Sequence, residues 1–191
     1  MNDGVQMFEE DATNNGWVLA SDGLLTRKAA RVLAFDDKGR LYLVRGHDAG
    51  APEKSWWFTI GGGIKGDEEP VQAARREFAE ETGLDVSEIR FIGPVVKRDA
   101  LFHFASGTRR QYETYYLLYL SDKEAEQLGE NVYLTENESD VLDEFRWWDI
   151  YELEEKELFD DSVVVNPRVL PSLAERWSCA WDGECVEILE K

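Results

Sequence analysis

The chain has 191 residues, 43% of them hydrophobic, enough for one buried core with terminal extensions and too few for two full domains by default. Its 40 acids against 21 bases give a formal charge of −19, which repels a phosphate polymer and argues against a DNA- or RNA-binding surface, while a small polyanion bridged by cations stays compatible. The longest apolar run, 115–120, falls far short of the roughly 20 residues that span a bilayer, the start Met1-Asn2-Asp3-Gly4 lacks a basic stretch followed by an apolar one, and Cys179 and Cys185 are too few for a disulfide framework or a cysteine zinc site, so a cytoplasmic protein with reduced thiols and no membrane contact is expected.

Residues 1–28 read as an extension, with turn signals at Asn14-Asn15-Gly16 and Ser21-Asp22-Gly23, packing on the core through Trp17 and Leu19. The remainder, 29–191, reads as one domain. Residues 29–35 and 40–45 are β-rich, and Asp36-Asp37-Lys38-Gly39 between them supplies a tight turn, so a hairpin is expected. A polar loop over 46–55 leads to a short strand over 56–60, which ends at Gly61-Gly62-Gly63. Pro70, tolerated in a first helical turn where no N–H is needed, opens a helix that stops at Gly83. Residues 89–97 and 111–120 carry the aromatic and β-branched residues of strands, with Phe102, His103 and Phe104 at the rim of the loop between them. Ser121-Asp122-Lys123-Glu124 forms a capping box before a short helix ending near Gly129; the acidic stretch 131–143 reads as a loop, 144–148 as a strand and 167–177 as a closing helix.

The chemistry concentrates on the helix after the glycines. At about 100° per residue, Val71, Ala74 and Phe78 form an apolar stripe, while Glu77, Glu80 and Glu81 share an arc of about 100° beside it. Three carboxylates so close repel one another unless a cation sits among them, and hard ions such as Mg²⁺ or Mn²⁺ prefer oxygen ligands. Arg76 precedes Glu80 by four residues and can pair with it, and Glu68, in the loop entering the helix, can close over from the other side. Gly61, Gly62 and Gly63 let the chain approach the metal and offer a backbone carbonyl, assigned here to Gly62. Taken singly, each glutamate reads as part of a solvated helix face; the set reads as a metal site.

Gly62, Glu68 after five residues, Arg76-Glu77-Phe78 after seven, Glu80-Glu81 after one and Gly83-Leu84 after one more resemble the Nudix box without a departure. The resemblance covers about 29–148 and extends to the closing helix, with Ile60 where many members carry proline. It implies an α/β/α sandwich with a mixed sheet, and a hydrolase that cleaves a phosphoanhydride in a nucleoside diphosphate linked to another group, with Mg²⁺ or Mn²⁺ as cofactor. By position, Glu77, Glu80, Glu81 and Gly62 would hold metal, Glu77, Glu81 and Arg76 would act in catalysis, and Glu68, Gly61 and Gly63 would support them. Box members or a separate loop acid supply the general base in this family; Glu77 or Glu81 is favoured, with Glu113, Glu136, Glu138 and Glu144 as alternatives.

Substrate choice is less legible. Trp56, Trp57, Phe58, Phe102, Tyr112 and Tyr115 could include a stacking platform or be core, Arg98, Arg109 and Arg110 could reach a phosphate or ribose, and His47 and His103 receive no role. The proline-marked signatures of the family's NADH- and ADP-ribose-cleaving members are not found. The expected partner is a small nucleotide, with a homodimer as a permitted assembly. The alternative reading is an idle Nudix domain that senses a nucleotide metabolite; an isoprenoid-diphosphate isomerase would need a catalytic cysteine that the two tail cysteines are poorly placed to provide.

Overall fold

The computed structural model describes residues 16–129, 132–134 and 136–190. Among them the strands are β1 Val18–Leu19, β2 Leu25–Phe35, β3 Leu41–Asp48, β4 Ala51–Thr59, β5 Ile92–Phe104, β6 Gly107–Tyr119, β7 Leu142–Trp148 and β8 Val186–Leu189. The helices are α1 Pro70–Thr82, α2 Asp122–Glu126, α3 Glu136–Val141, α4 Ile150–Phe159 and α5 Leu170–Trp177, with one 3₁₀ turn at Glu88–Arg90. The strands form one mixed sheet.

The expected hairpin exists only at its tip. Asp36 accepts the N–H groups of Lys38 and Arg40 at 3.1 and 2.8 Å, Gly39 takes φ 73°, and β2 and β3 pair antiparallel at Ala34↔Tyr42 and Phe35↔Leu41. Beyond that the two strands splay. β2 runs parallel to β6 along its whole length, from Leu25↔Arg109 to Phe35↔Tyr119, whereas β3 takes β4 on one side and β7 on the other. The cleft opened by this splay is bridged by the glycine loop, where Val32 bonds to the Ile60 carbonyl at 2.9 Å.

Both faces of the sheet are covered, as the period-2 alternation of β2 requires. Ala30, Val32 and Ala34 pack with Val44 and Leu118 against Ala73, Ala74 and Phe78 of α1. Leu33 and Phe35 face the other way, toward Leu153 of α4 and Leu170, Leu173 and Trp177 of α5. Phe78 is fully buried, and a side chain of that size contributes about 1.5–3 kcal/mol on leaving water, enough to hold an acid-rich helix on the sheet. The apolar stripe on α1 is therefore the anchor the sequence pattern predicts.

Several segments differ from expectation. The polar loop over 46–55 is instead the end of β3 and most of β4; buried Asp48 closes the turn by accepting Gly50 N–H at 3.0 Å and Ala105 N–H at 2.6 Å. β5 and β6 run on through 98–104 and 107–110, where the adjacent charges Arg98-Asp99 and Arg109-Arg110 mimic a loop. The acidic stretch 131–143 contains α3 and the start of β7 rather than loop alone. α4, capped by Asp149 through Tyr151 and Glu152 N–H, and β8 were not expected; the closing helix begins at Leu170. Trp17 is buried against Arg27, 4.5 Å from its ring, but Leu19 is 69% exposed and does not help anchor the N-terminal segment. No helix among the described residues is long and apolar enough to cross a membrane.

Candidate active site

The glycine loop and α1 are built to meet. Glu69 and Gln72 cap the helix reciprocally, Pro70 occupies its first turn, and Gly83 ends it at φ 77° with its N–H on Ala79 O at 2.9 Å. A Cβ on Gly61 would stand 2.1 Å from the Ala30 carbonyl, and one on Gly62 would stand 2.6 Å from the Glu77 carboxylate. Glycine is needed because the loop backbone lies directly against that carboxylate.

Glu77 and Glu81 are 4% and 5% exposed. Burial raises the pKa of Glu77; burial, then the neighbouring Glu77, raises that of Glu81 well above the ordinary carboxylate value. Glu81 accepts the Gly61 N–H at 3.2 Å. Arg76 braces the other side. Its guanidinium bonds Glu68 through Nε and Nη2, both at 2.9 Å, and reaches Glu77 at 2.6 Å, Glu80 at 3.2 Å and the Gly63 carbonyl at 3.0 Å. The Arg76 bonds lower the pKa of Glu68. Arg76 thus pairs with Glu80 as expected, yet its bidentate partner is Glu68.

The structure brings the four box glutamates together unequally. Glu80 is turned toward Arg76 and Lys65, the latter at 3.9 Å, with 39% of its side chain exposed. Its place beside Glu77 and Glu81 is taken by Glu138 from α3: one carboxylate oxygen from each of Glu77, Glu81 and Glu138 lie within 4.8 Å of one another. The Gly62 carbonyl accepts Ala30 N–H at 3.0 Å in the β-bridge. Gly61 O accepts Arg31 Nη1 at 2.7 Å, so each of the two loop carbonyls carries one hydrogen bond and keeps a second lone pair. Three carboxylates at this spacing, two of them buried with raised pKa and closed in by a loop with no room for a Cβ, are a hard-oxygen donor set suited to Mg²⁺ or Mn²⁺.

Beside the carboxylates lies a cavity of about 330 Å³. Trp56, Phe58, Phe102 and Phe104 line it, with Phe102 and Phe104 stacked at 5.8 Å and Trp56 tilted against Phe104 at 6.2 Å. Trp57 belongs to the core, and Tyr112 is 43% exposed and away from the cavity. His47 lines the cavity with Nδ1 2.9 Å from Asp143, while His103 bonds Thr108.

Glu113, an alternative base from the sequence, has a different occupation. Its carboxylate takes Arg31 Nε at 2.9 Å, Arg98 Nη1 at 2.8 Å and the Tyr115 hydroxyl at 2.9 Å, and Arg98 also bonds Asn166 at 2.6 Å and Glu190. Burial opposes ionisation, but Arg31 and Arg98 outweigh it and hold the Glu113 pKa below the ordinary value. A carboxylate so occupied is a poor proton acceptor. Glu144 pairs with Arg45 at 3.6 Å and does not line the cavity, Arg110 pairs with Asp22 at 2.6 Å, and the Glu136 side chain lies outside the described residues.

The family model of the NUDIX domain matches residues 25–169. Among solved structures, a MutT protein from Methanosarcina mazei Go1 superposes with a TM-score of 0.53 at 16% identity, covering 79% of this chain and 91% of that one. The solution structure of the E. coli ORF135 protein gives 0.51 at 16% identity, covering 85% and 99%. These likenesses establish the shared fold. With the box complete on α1, the glycine loop against it and the family match running through most of the sheet, the chain belongs to the Nudix hydrolase family, whose members in general break pyrophosphate bonds with the help of metal ions.

Proposed function

We propose that this chain hydrolyses a phosphoanhydride in a nucleoside diphosphate linked to a further group. The observation that carries this reading is the convergence of Glu77, Glu81 and Glu138 beside an aromatic-walled cavity of nucleotide size. Mg²⁺ or Mn²⁺ would be held by those three carboxylates with a carbonyl of the glycine loop, Gly62 O as the spacing suggests, and Glu80 on the outer side; bound there it would neutralise phosphoryl oxygens and lower the pKa of water. The chain's own residues do the positioning. Arg76 fixes the Glu77 carboxylate from behind and ties Glu68 and the glycine loop to α1, while the Gly61 N–H orients Glu81. Glu81 or Glu77 is the assigned proton acceptor, since both carboxylates line the cavity beside the place where the attacking water would sit. A small nucleotide is the expected partner, in keeping with the charge of −19, and the cytoplasm the expected compartment.

The test is a release assay over nucleoside triphosphates, dinucleoside polyphosphates, nucleotide sugars and ADP-ribose with Mg²⁺ or Mn²⁺, run in ¹⁸O water. The label is expected on a phosphate of the product, with nucleic-acid polymers inert; label on a sugar carbon, or cleavage of an internal phosphodiester, overturns the mechanism. Failure on every nucleotide would move weight to the sensor alternative.

A second expected result concerns stability. Divalent ions bind the folded carboxylate cluster and not the unfolded chain, so millimolar Mg²⁺ or Mn²⁺ should raise the melting temperature. NaCl at matched ionic strength controls for screening of the overall charge. An equal rise with NaCl would remove the metal site from the account.

A further inference from the structure

Glu138 reaches the carboxylate cluster from α3, a helix of six residues that is too short to hold its shape in water by itself. Its place is set by what it packs against, and among the described residues that is chiefly β3 and β7. The chain turns from α3 into β7 at an irregularity in the ladder. Arg45 pairs with Glu144 while the next residue, Gly46, pairs with Leu142, so Asp143 is the extra residue of a bulge. Its carboxylate lies 2.9 Å from His47 Nδ1 and 3.9 Å from Arg45 Nε. The residues on either side of Gly46 thus clasp the bulge from β3.

A glycine inside a strand weakens it, and often marks a place where another backbone passes close by. Gly46 is such a place. Its φ lies outside the left-handed region, so its backbone conformation is open to any residue and the requirement is for space. A Cβ there would stand 2.9 Å from the Val141 carbonyl oxygen, 3.1 Å from the Phe58 ring and 3.3 Å from the Leu142 side chain. The ring and the side chain can give by a few tenths of an ångström, but the Val141 oxygen is backbone and moves only with the end of α3. Val141 follows Glu138 by three residues, on the same face of the helix, and both line the cavity. Ordinary contact begins near 3.4 Å, so an alanine would push this end of α3 outward by about 0.5 Å. A partly exposed junction absorbs such a shift at little cost. A Mg²⁺ or Mn²⁺ site, whose ligand distances hold within about 0.2 Å, does not.

Resting on the metal reading above, we propose that Gly46 is a positioning residue for the metal site: its missing side chain lets the Val141 carbonyl close on β3 and so carries Glu138 to Glu77 and Glu81. Asp143, held by His47, is the clasp that keeps the junction closed. β3 thereby shapes the site without supplying one of its carboxylates.

Mn²⁺ alone is the probe, titrated into the full chain without nucleotide and followed by the electron paramagnetic resonance of the free ion, so that substrate and turnover play no part. Glu138→Gln is expected to weaken binding, and Gly46→Ala to weaken it by about tenfold to a hundredfold, as loss of support behind a ligand does. The double variant decides. If Gly46 acts through Glu138, adding Gly46→Ala to Glu138→Gln should change the affinity by less than about twofold. A metal-free melt checks that each variant folds; should Gly46→Ala fail to fold, Asp143→Ala enters the same cycle with the same expectation. Wild-type affinity in Gly46→Ala, or an equal loss with and without Glu138, overturns the proposal and leaves the metal site standing. Unchanged affinity in Glu138→Gln overturns it too, and confines the site to Glu77 and Glu81. Absence of Mn²⁺ binding by the wild type would instead overturn the metal reading, and the proposal with it.

Discussion

Glu81→Gln is expected to lower turnover by at least about a hundredfold while making the metal-free protein more stable at pH 8, two effects that pull in opposite directions and share one cause. Glu81 is buried, and burial followed by the charge on Glu77 raises its folded pKa well above 4.5. A raised folded value means that the carboxyl favours the folded state fully below pH 4.5 and that this contribution is lost as the pH climbs through the folded pKa. At pH 8 folding the empty site must either bury a carboxylate or take up a proton that the unfolded chain lacks, and both cost free energy. Glutamine removes the charge and keeps an oxygen for the Gly61 N–H now bonded at 3.2 Å, so the variant should gain about 1 kcal/mol or more, which is about 2–4 °C in melting temperature for a chain of this size. Near pH 4, where the glutamate is neutral too, the difference should vanish. With saturating Mg²⁺ the order should reverse, because only the wild type retains its full donor set. Turnover within twofold of wild type would remove Glu81 from the site, and a destabilised metal-free variant at pH 8 would contradict the electrostatic account.

What the sequence revealed and what it hid follow from how far each feature depends on long-range pairing. The glycine loop, Pro70, the Val71, Ala74 and Phe78 stripe and the Gly83 stop are local signals, and α1 appears with the bounds they imply. The pairing of Arg76 with Glu80 is local too. Glu138 joins the site only because β7 pairs with β3, bringing a residue from far along the chain beside Glu77 and Glu81; nothing near Glu138 distinguishes it from the other acids of its segment. On the helical wheel Glu80 is equivalent to its neighbours, and only the actual positions of Arg76 and Lys65 turn it outward. The long hairpin of β5 and β6 was hidden for another reason. Gln111 and Glu113 fall inside the stretch read as a strand, but the continuation through 98–104 and 107–110 read as a loop because Arg98 and its neighbours are polar residues, Arg98 itself facing a cavity rather than water. Asp149 followed by Glu152 was a capping signal available before α4 was seen.

The largest stability effect should come from Glu113→Gln. Glu113 is 2% exposed and neutralises two guanidinium groups, Arg31 at 2.9 Å from β2 and Arg98 at 2.8 Å from β5, so it ties three adjacent strands at the floor of the cavity. An amide leaves both cations without an anion and sets an NH₂ group against one of them. Breaking a buried pair in this way costs about 3–5 kcal/mol, or about 6–20 °C in melting temperature here. The pH response gives an independent check. Burial would raise the Glu113 pKa, but Arg31 and Arg98 hold it below the ordinary value of 4.5, so the stability it contributes is present above pH 4.5 and is lost as the pH falls through the depressed folded value. Wild-type protein should therefore lose stability on acidification through that range more steeply than the variant. Turnover per folded molecule, measured well below the variant's melting temperature, should stay within about tenfold, because Glu113 already shares its oxygens among three donors and its lowered pKa makes it a weak acceptor of a proton from water. The opposite pattern, a stable variant without turnover, would make Glu113 the general base and take that role from Glu77 and Glu81.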